Sequence, residues 1–423
     1  MTADHIFLLY AVCFCAYFLT ELALNFLNIG NAKRHASEVP IYFRDWTSQE
    51  DYQRSVAYTL EKQYFSIVNL LFSSFVLIAC IVSGFFGVLD SWMATLGWGP
   101  YITGCAYLFS LGFLSSLVRL PLDYYSRFSI EQRFGFNTMT IGLWLVDFLK
   151  SFILQLVIGF PVLLCLFWII DILGVYWWIY GFLFVAGIQL VLLFLFPVFI
   201  APLFNKFEKL QEQSLRERIF ELAEKAGFKT SGIFVMDGSK RSNHGNAYFT
   251  GFGRYKRIVL FDTLVELLKE QEVLAVLAHE IGHEKMNHIK KMLFVSISVL
   301  FVGFWILSVM MDYEPLFQAF GFQQTSAHGA LVLVGFIFEP VLFFITPLFS
   351  SLSRKHEFEA DRFAVDLVGS SDDLRKALLA LSGKSLSNLV PHPLFCFFHY
   401  SHPSLSERLP AMEVYAASKA ASA

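Results

Sequence analysis

Long apolar runs divide the chain into segments of the length that crosses a lipid bilayer. A bilayer core requires roughly 20 consecutive apolar residues per helix. Runs of this length lie at about 6–28, 65–89, 100–119, 148–170, 175–199, 292–311 and 329–350. The first run has no basic segment before it and no small-residue cleavage site, so we interpret it as a retained span. The pattern therefore predicts seven membrane-spanning helices.

Two polar segments interrupt this pattern, at 201–291 and after 350. In the first, apolar residues at helical spacing predict a helix over Leu215–Ala226. Three short β-rich runs follow, separated by glycine-containing turns at 237–238 and 251–253. These runs are Gly232–Met236, Ala247–Thr250 and Arg257–Phe261. A helix predicted from Val265 to Lys291 then continues into the sixth span without a break.

The composition agrees with a membrane protein and excludes several other classes. The chain has 423 residues, of which 56% are hydrophobic and only 16% are charged. A soluble protein carries about 25% charged residues, so an ordinary cytosolic enzyme and a disordered chain are excluded. The net charge of −3 provides no basic surface for DNA or RNA, and we expect no nucleic-acid partner.

The basic residues predict the orientation of the spans. All 32 Lys and Arg fall in four segments: 29–64, 119–150, 202–291 and 351–423. These segments alternate with segments that contain none. The positive-inside rule then places the N-terminus outside and the C-terminus in the cytosol, with both polar segments on the cytosolic side.

The first polar segment contains a pattern typical of a zinc site. Residues 279–283 read HEIGH on a predicted helix. His279 and His283, at positions i and i+4, share a helical face and can both reach one Zn²⁺. Glu280 can approach a water at the metal as a general base. The chain has eleven His, and chance produces this pattern in roughly 1–2% of such chains. The pattern alone therefore suggests a zinc site but does not establish one.

The tail supplies candidates for a third ligand. Residues 356–364 read HEFEADRFA and are predicted to be helical, with Glu357 and Asp361 on one face. Glu357 could bind the metal while Asp361 accepts a hydrogen bond from a ligand imidazole. Glu359 and His356 point elsewhere, and we interpret them as solvated or locally paired. His288, five positions after His283, falls on a different face, where a surface histidine is expected.

These motifs resemble those of the type I CAAX prenyl proteases, which are zinc metalloproteases of the membrane. The likeness also covers other segments between about 120 and 410, in the family's order. They are IEQRFGFN at 130–137, PLFNKF at 202–207, MDGSKRS at 236–242, NAYF at 246–249, KRIVLFDT at 256–263, and SHP at 401–403 with Arg408. The seven predicted spans match as well.

The resemblance implies a role for each matching residue. It implies one Zn²⁺ per chain, held by His279, His283 and Glu357. It implies Glu280 as the general base and Asp361 as the proton donor. It implies that His402 and Arg408 bind the substrate or the oxyanion. It also implies that Asn246 and Ala247 belong to the strand to which a substrate peptide is added. For His402 and Arg408, simple structural pairing with a carboxylate is the stronger interpretation from the residues alone.

The fold class predicted is an all-α polytopic membrane protein. The resemblance implies seven helices in a ring around a water-filled chamber, with a cytosolic zincin-like α+β domain that bears a short edge-stranded sheet. Polar residues inside the spans favour a hydrated interior; they are Glu21, Asn25, Asn69, Gln155, Gln189 and Glu339. We predict spans one to five at 1–200, a catalytic segment at 201–291, spans six and seven at 292–350, and a tail at 351–423 that completes the catalytic domain.

The function expected is that of a zinc endopeptidase acting on membrane-associated or prenylated proteins. The resemblance implies removal of the last three residues of CAAX C-termini. The compact length and spacing favour a monomeric protein of a bacterial inner membrane, where quality control of membrane proteins is an alternative; in a eukaryote the endoplasmic reticulum is expected. A transporter or channel with a structural zinc is a further alternative. It is less favoured because structural zinc sites use four protein ligands, often Cys.

Overall fold

Helices make up most of the chain. The computed structural model describes residues 1–251 and 256–421, so Phe252 and Gly253 of the predicted turn lie outside the described residues. In chain order the helices are α1 (Ala3–Arg34), α2 (Gln49–Val82), α3 (Phe85–Ala94), α4 (Pro100–Tyr125), α5 (Ile141–Ile172), α6 (Trp177–Leu195), α7 (Ala201–Phe204), α8 (Gln213–Lys225), α9 (Asp262–Leu267), α10 (Glu270–Lys285), α11 (His288–Met310), α12 (Glu314–Ala319), α13 (Ala327–Val368), α14 (Asp372–Lys384), α15 (Pro393–His399) and α16 (Leu405–Ala420). Two π-helical turns, Ser126–Glu131 and Phe196–Ile200, extend α4 and α6.

Seven helical segments within the described ranges are long and apolar enough to cross a membrane, which confirms the predicted number of spans. They contain α1, α2, α4, α5, α6, α11 and α13. The predicted end of the second span at residue 89 was wrong, because α2 ends at Val82. Gly84, which has a φ of 67°, separates α2 from α3. Glycine adopts this left-handed conformation without the steric cost of a Cβ atom.

The spanning helices close into a ring. Each helix packs against the next in the order α1, α2, α3, α4, α5, α6, α11 and α13, and α13 packs against α1. The longest, α13, has 42 residues and measures roughly 63 Å at 1.5 Å per residue. This is about twice the 30 Å of a bilayer core, so its polar C-terminal part extends beyond the apolar span, where α13 packs against α10.

A cavity of about 870 Å³ lies inside this ring, against α1, α2, α4 and α13. Polar residues predicted to face a hydrated interior reach it, namely Glu21, Asn69 and Glu339. Others serve helix contacts: Gln189 donates to Ser296 across α6 and α11 at 2.9 Å. Asn25 instead donates to Glu21 within α1, so only some of the polar residues in the spans line this cavity.

The first polar segment contains a four-stranded sheet within the described residues. The strands are β1 (Phe207–Lys209), β2 (Gly232–Met236), β3 (Ala247–Thr250) and β4 (Arg257–Phe261), in the order β1-β2-β4-β3. The three predicted strands are confirmed with the same bounds, whereas β1 was missed. Its three residues are too short a run to show a strand period. β2 and β4 pair in parallel, and β3 pairs antiparallel with β4 on one side, which leaves its other side as an edge of the sheet.

One apolar core joins the sheet to the helices around it. It holds the buried faces of β2, β4 and α8 together with α10 and α14. Arg241 ties this core to the membrane helices, because its guanidinium makes paired bonds of 2.8 and 3.1 Å to Asp147 on α5. This ion pair links the sheet and its helices to the spans.

Candidate metal centre

The helix that carries the HEIGH motif lies among the helices that pack around the sheet. α10 packs against α13, α14, α8 and β3, and its apolar residues are almost all buried. Its first turn is capped by Glu272, whose side chain accepts a hydrogen bond from the backbone N–H of Lys269 at 3.0 Å. His279 and His283 lie one turn apart on the same face, as predicted, and their Nε2 atoms are 3.1 Å apart.

Glu357 reaches the same point from α13. Its Oε2 lies 3.5 Å from His279 Nε2, and its Oε1 lies 3.3 Å from His283 Nε2. Zn–N and Zn–O bonds of about 2.0–2.1 Å at tetrahedral angles would separate ligand atoms by roughly 3.3–3.4 Å. The three observed separations of 3.1, 3.3 and 3.5 Å bracket that value. These separations, which involve both oxygens of Glu357, therefore suit one metal ion held by the predicted ligand set.

Glu357 supports this fit independently of the distances. The residue is 4% exposed, and its buried Oε2 has no hydrogen-bond partner among the residues that the structure describes, although Arg408 Nη1 lies 3.5 Å away. A buried carboxylate oxygen without a hydrogen bond is costly unless a cation pairs with it. A bound metal ion would satisfy this oxygen.

Asp361 lies behind the first ligand. Its Oδ1 is 2.8 Å from His279 Nδ1, which is the contact predicted for an orienting carboxylate. The guanidinium of Arg408 holds Asp361 in turn, through bonds of 2.9 Å from Nε and 2.6 Å from Nη2. Asp361 is 1% exposed and Arg408 is 7% exposed. The two form a buried ion pair directly behind the ligand.

Asp361 determines the charge of His279. Burial and the positive charge of Arg408 lower the pKa of His279, but the carboxylates of Asp361 and Glu357 outweigh them and raise the pKa to about 9. Without a metal, the imidazole is therefore protonated at neutral pH. Metal binding must release that proton, because only the neutral ring offers a lone pair.

Glu280 occupies the next position on α10. Burial raises the pKa of its carboxyl; the positive charges of His279, His283 and Arg408 act in the opposite direction. A carboxyl group with a raised pKa accepts and releases a proton closer to neutral pH. This electrostatic setting suits the predicted role of a general base.

His402 lies next to Glu357, and β3 packs against α10. The Nε2 of His402 lies 3.4 Å from Glu357 Oε1, and its side chain is 65% exposed. Asn246 precedes β3, and its backbone oxygen accepts a hydrogen bond from Phe261 on β4. Because pairing alternates along an antiparallel ladder, the backbone groups of Ala247 and Phe249 face away from β4. The Asn246 side chain accepts a bond from the Ala247 N–H at 2.8 Å.

The sequence prediction was wrong about the helix after the motif. It does not continue to Lys291, because α10 ends at Lys285 and Asn287 adopts a φ of 58° before α11 begins. The prediction of a surface position for His288 was wrong as well. His288 is 3% exposed and lies against His283, with the two Nδ1 atoms 3.0 Å apart.

His288 belongs to a second group beside the first. Its Nε2 is 2.9 Å from Glu359 Oε2, which confirms local pairing for Glu359. The ring of His356 stacks on that of His288 at 4.1 Å. The spacing of the motif could not reveal this group, since only a break in the helix brings His288 back towards His283.

Close packing of α10 on α13 sets the distance between the two histidines and Glu357. A Cβ atom on Gly282 would lie 3.1 Å from Ala360 Cα and 3.2 Å from the Ala360 oxygen. These are backbone atoms of α13, which cannot move without moving the helix. The glycine of the motif is therefore the contact point that allows ligands from two helices to meet.

We expect Gly282→Ala to separate α10 from α13, to destabilise the protein by about 1–3 kcal/mol and to lower metal occupancy. Gly383→Ala is the matched control, because a Cβ atom there meets open space in a helix and is expected to stabilise by up to about 1 kcal/mol. Thermal unfolding and metal content of the purified proteins measure both effects. Wild-type stability and metal content in Gly282→Ala would contradict the role given to this contact.

Known proteins match most of the chain. Residues 28–206 match the family model of the CAAX prenyl protease N-terminal region with five membrane helices, and residues 209–416 match that of peptidase family M48. The CAAX prenyl protease 1 homolog of Arabidopsis thaliana is 38% identical, over 86% of this chain and 88% of its own length. CAAX prenyl protease 1 of Saccharomyces cerevisiae is 42% identical, over 73% of this chain and 71% of its own length.

A solved structure matches the fold as a whole. The crystal structure of S. mikatae Ste24p superposes with a TM-score of 0.91 at 34% identity, and the match covers 96% of this chain and 99% of that one. A human CAAX prenyl protease 1 homolog is 35% identical over 89% of each chain. These relatives come from a plant, yeasts and human, and they do not favour the bacterial host expected from the length of the chain.

Proposed function

Since the chain belongs to peptidase family M48, as a member of the CAAX prenyl protease 1 group, it is a multi-pass membrane metalloprotease, and we propose that it cleaves the C-terminal tripeptide from prenylated CAAX proteins. The convergence of His279, His283 and Glu357 is the observation that carries this proposal. Strand β3, which has a free edge, packs against α10, the helix that holds the two histidines. Together they combine a metal-binding donor set with a surface that can align an extended peptide.

We propose Zn²⁺ as the metal, one per chain, held by His279, His283 and Glu357. Two imidazoles and one carboxylate are a ligand set of catalytic zinc sites, which leave the fourth position open. When bound, zinc lowers the pKa of water towards 7 and polarises a peptide carbonyl. Within the described residues three donors meet at this point, which disfavours the alternative of a structural zinc in a transporter.

Glu280 is proposed as the general base. It follows His279 directly on α10, and its raised pKa suits a group that takes a proton from water and passes it on. The leaving amine must receive a proton for the peptide bond to break. Glu280 can deliver that proton itself once it has been protonated.

Asp361 and Arg408 are proposed to act behind the metal rather than on the substrate. Asp361 keeps the Nδ1 proton of His279 in place, so that Nε2 faces the metal. The burial of Asp361 and its paired bonds with Arg408 favour this role over that of the proton donor. The same two bonds hold the Arg408 guanidinium on Asp361, so it is less suited to bind a developing oxyanion. The exposed His402 is the candidate to donate to the oxyanion.

The edge of β3 is proposed to bind the substrate as an added strand. The outward-facing backbone groups of Ala247 and Phe249 can pair with an extended peptide. In the structure the Asn246 side chain occupies the Ala247 N–H, so it would have to turn away before a peptide carbonyl could bind there. Asn246 would then be free to bond the substrate.

The proposed orientation places the N-terminus outside and the catalytic parts, 201–291 and 351–423, in the cytosol. The basic residues of the loops support this orientation under the positive-inside rule. With the relatives being eukaryotic, the endoplasmic reticulum is the proposed membrane, and the protein is proposed to act as a monomer. Labelling of single cysteines placed at Ser385 and at Gly97 from each side of sealed vesicles tests the orientation.

The test of the proposed function compares a farnesylated CAAX peptide with its unprenylated twin. We expect the purified protein to cleave the farnesylated peptide and to lose this activity when a chelator removes the metal. Added Zn²⁺ should restore it. Equal cleavage of both peptides would favour a general quality-control protease, and activity that survives complete metal removal would refute a metalloprotease site.

A further inference from the structure

Each ligand imidazole has a second nitrogen, and the structure gives the two histidines different partners. Nδ1 of His279 faces the carboxylate of Asp361 at 2.8 Å. Nδ1 of His283 faces Nδ1 of His288 at 3.0 Å, and His288 Nε2 faces Glu359 Oε2 at 2.9 Å. Both ligands are therefore linked to a carboxylate, the first directly and the second through another imidazole.

One arrangement of protons satisfies every contact in the second link. The Nε2 of His283 points towards His279 Nε2 and Glu357, so it is the nitrogen offered to a metal and its proton resides on Nδ1. That proton is donated to His288 Nδ1, which must be unprotonated. The proton of His288 is then on Nε2 and is donated to Glu359. Each nitrogen and oxygen in this link has a complementary partner.

Burial and charge hold this link in one geometry. His288 is 3% exposed, and the ring of His356 stacks on it at an angle of 12°. At the outer end, Glu359 has Lys355 Nζ at 3.9 Å and Lys291 Nζ at 4.0 Å. These contacts fix the ring plane of His288 and the position of the carboxylate.

The backbone between the two helices makes the link possible. On a continuous helix, five positions rotate by roughly 500°, so His288 would point about 140° away from His283. The break after Lys285, with Asn287 at a φ of 58°, turns α11 so that His288 returns to His283. Asn is one of the few residues other than Gly that adopts this left-handed conformation readily.

We propose that His288 is a positioning residue for the metal ligand His283, which it orients through the link to Glu359. The proposal rests on the proposed function only in taking His279, His283 and Glu357 as the metal ligands. His288 is then a supporting group of the metal site that lies outside the HEIGH motif. Loss of such supporting groups lowers metal affinity by about 10–100-fold in other metal sites.

A second metal ion is the competing interpretation. Donor atoms of His288, His356 and Glu359 lie within 4.8 Å of one another. However, both nitrogens of His288 already have partners in the chain, and a metal on Nε2 would displace the proton that bonds Glu359. His356 separates the two interpretations, because it stacks on His288 in the link but would bind the ion in a second site.

The test measures zinc release from the full-length purified protein to a chelating dye. We expect His288→Leu, which removes the acceptor for His283, to release zinc about 10–100-fold faster than wild type. His288→Asn should restore most of the retention, since its Oδ1 takes the place of Nδ1. His356→Phe keeps the stacked ring and should release zinc within about twofold of the wild-type rate, which makes it the control.

A second pair of variants tests the backbone without changing His288. Asn287→Gly and Asn287→Ala both lose the 2.7 Å bond from Lys290, but only glycine keeps the left-handed turn without strain. We expect faster zinc release from the Ala variant alone. The visible spectrum of the Co²⁺-substituted His288→Leu protein should also differ from wild type, because the orientation of the His283 ring changes.

Two outcomes would overturn the proposal. The first is wild-type zinc release from His288→Leu, and the second is loss of a second zinc ion per chain in His356→Phe. Neither measurement depends on the substrate. If the protein failed to cleave CAAX peptides, the proposed function would fall while zinc release still tested His288.

Discussion

Replacing Glu280 with Gln should reduce peptide cleavage by about 10²–10⁴-fold while the protein folds and keeps its metal. The amide has nearly the shape of the carboxylate but cannot accept the proton of an attacking water. Glu280 is not one of the three groups that meet at the metal site, so the donor set stays intact. The measurement is the rate of cleavage of the farnesylated CAAX peptide at equal metal content.

The control for this prediction is Glu266→Gln, an equal change of charge on α9, the helix before α10. Glu266 is exposed, so we expect most of the cleavage activity to remain. Comparable losses in both variants would mean that the negative charge of this region, rather than a base at position 280, limits the reaction. Retained cleavage in Glu280→Gln would refute the assignment of the base.

Replacing Arg408 with Met should destabilise the protein by about 3–5 kcal/mol, because it leaves Asp361 charged and buried without its partner. Asp361 is 1% exposed and receives two bonds from the guanidinium, at 2.9 and 2.6 Å. The loss of this cation also frees the carboxylate to move away from His279. We therefore expect a lower melting temperature in detergent together with weaker metal binding.

Arg133→Met is the matched control. Arg133 pairs with Glu61 at 3.0 Å, but its side chain is 53% exposed, and exposed ion pairs contribute at most about 1 kcal/mol. If Arg408→Met kept wild-type stability and metal content but lost turnover, Arg408 would act on the oxyanion instead. The two roles of Arg408 are thereby separated by one variant.

The local features of the site could be predicted from the sequence because they depend on short-range geometry. Two histidines four positions apart share a helical face, as do Glu357 and Asp361, and these relations hold in any unbroken helix. The strands at 232–236, 247–250 and 257–261 were likewise predicted with their observed bounds, since turn residues separate them. The seven spans follow from length and apolarity alone.

The sequence did not predict what depends on a single backbone angle or on contacts between distant segments. The left-handed Asn287 breaks a helix that its neighbours would continue, and asparagine is only one of several residues found at such breaks. Strand β1 has only three residues, which are too few to show the alternation of apolar and polar residues in a strand. The pairing of Asp361 with Arg408 joins positions 47 residues apart, which no local pattern encodes.

By itself, the sequence determined the membrane class, the number of spans, and the residue types that could bind and activate a metal. Hydropathy and helical spacing are properties of neighbouring residues, so they can be read along the chain. Only the tertiary structure decided that α10 and α13 approach closely at Gly282, that Arg408 lies behind the ligands, and that His288 turns back to His283. These features arise where separate helices pack, and their energies depend on burial that exists only in the folded protein.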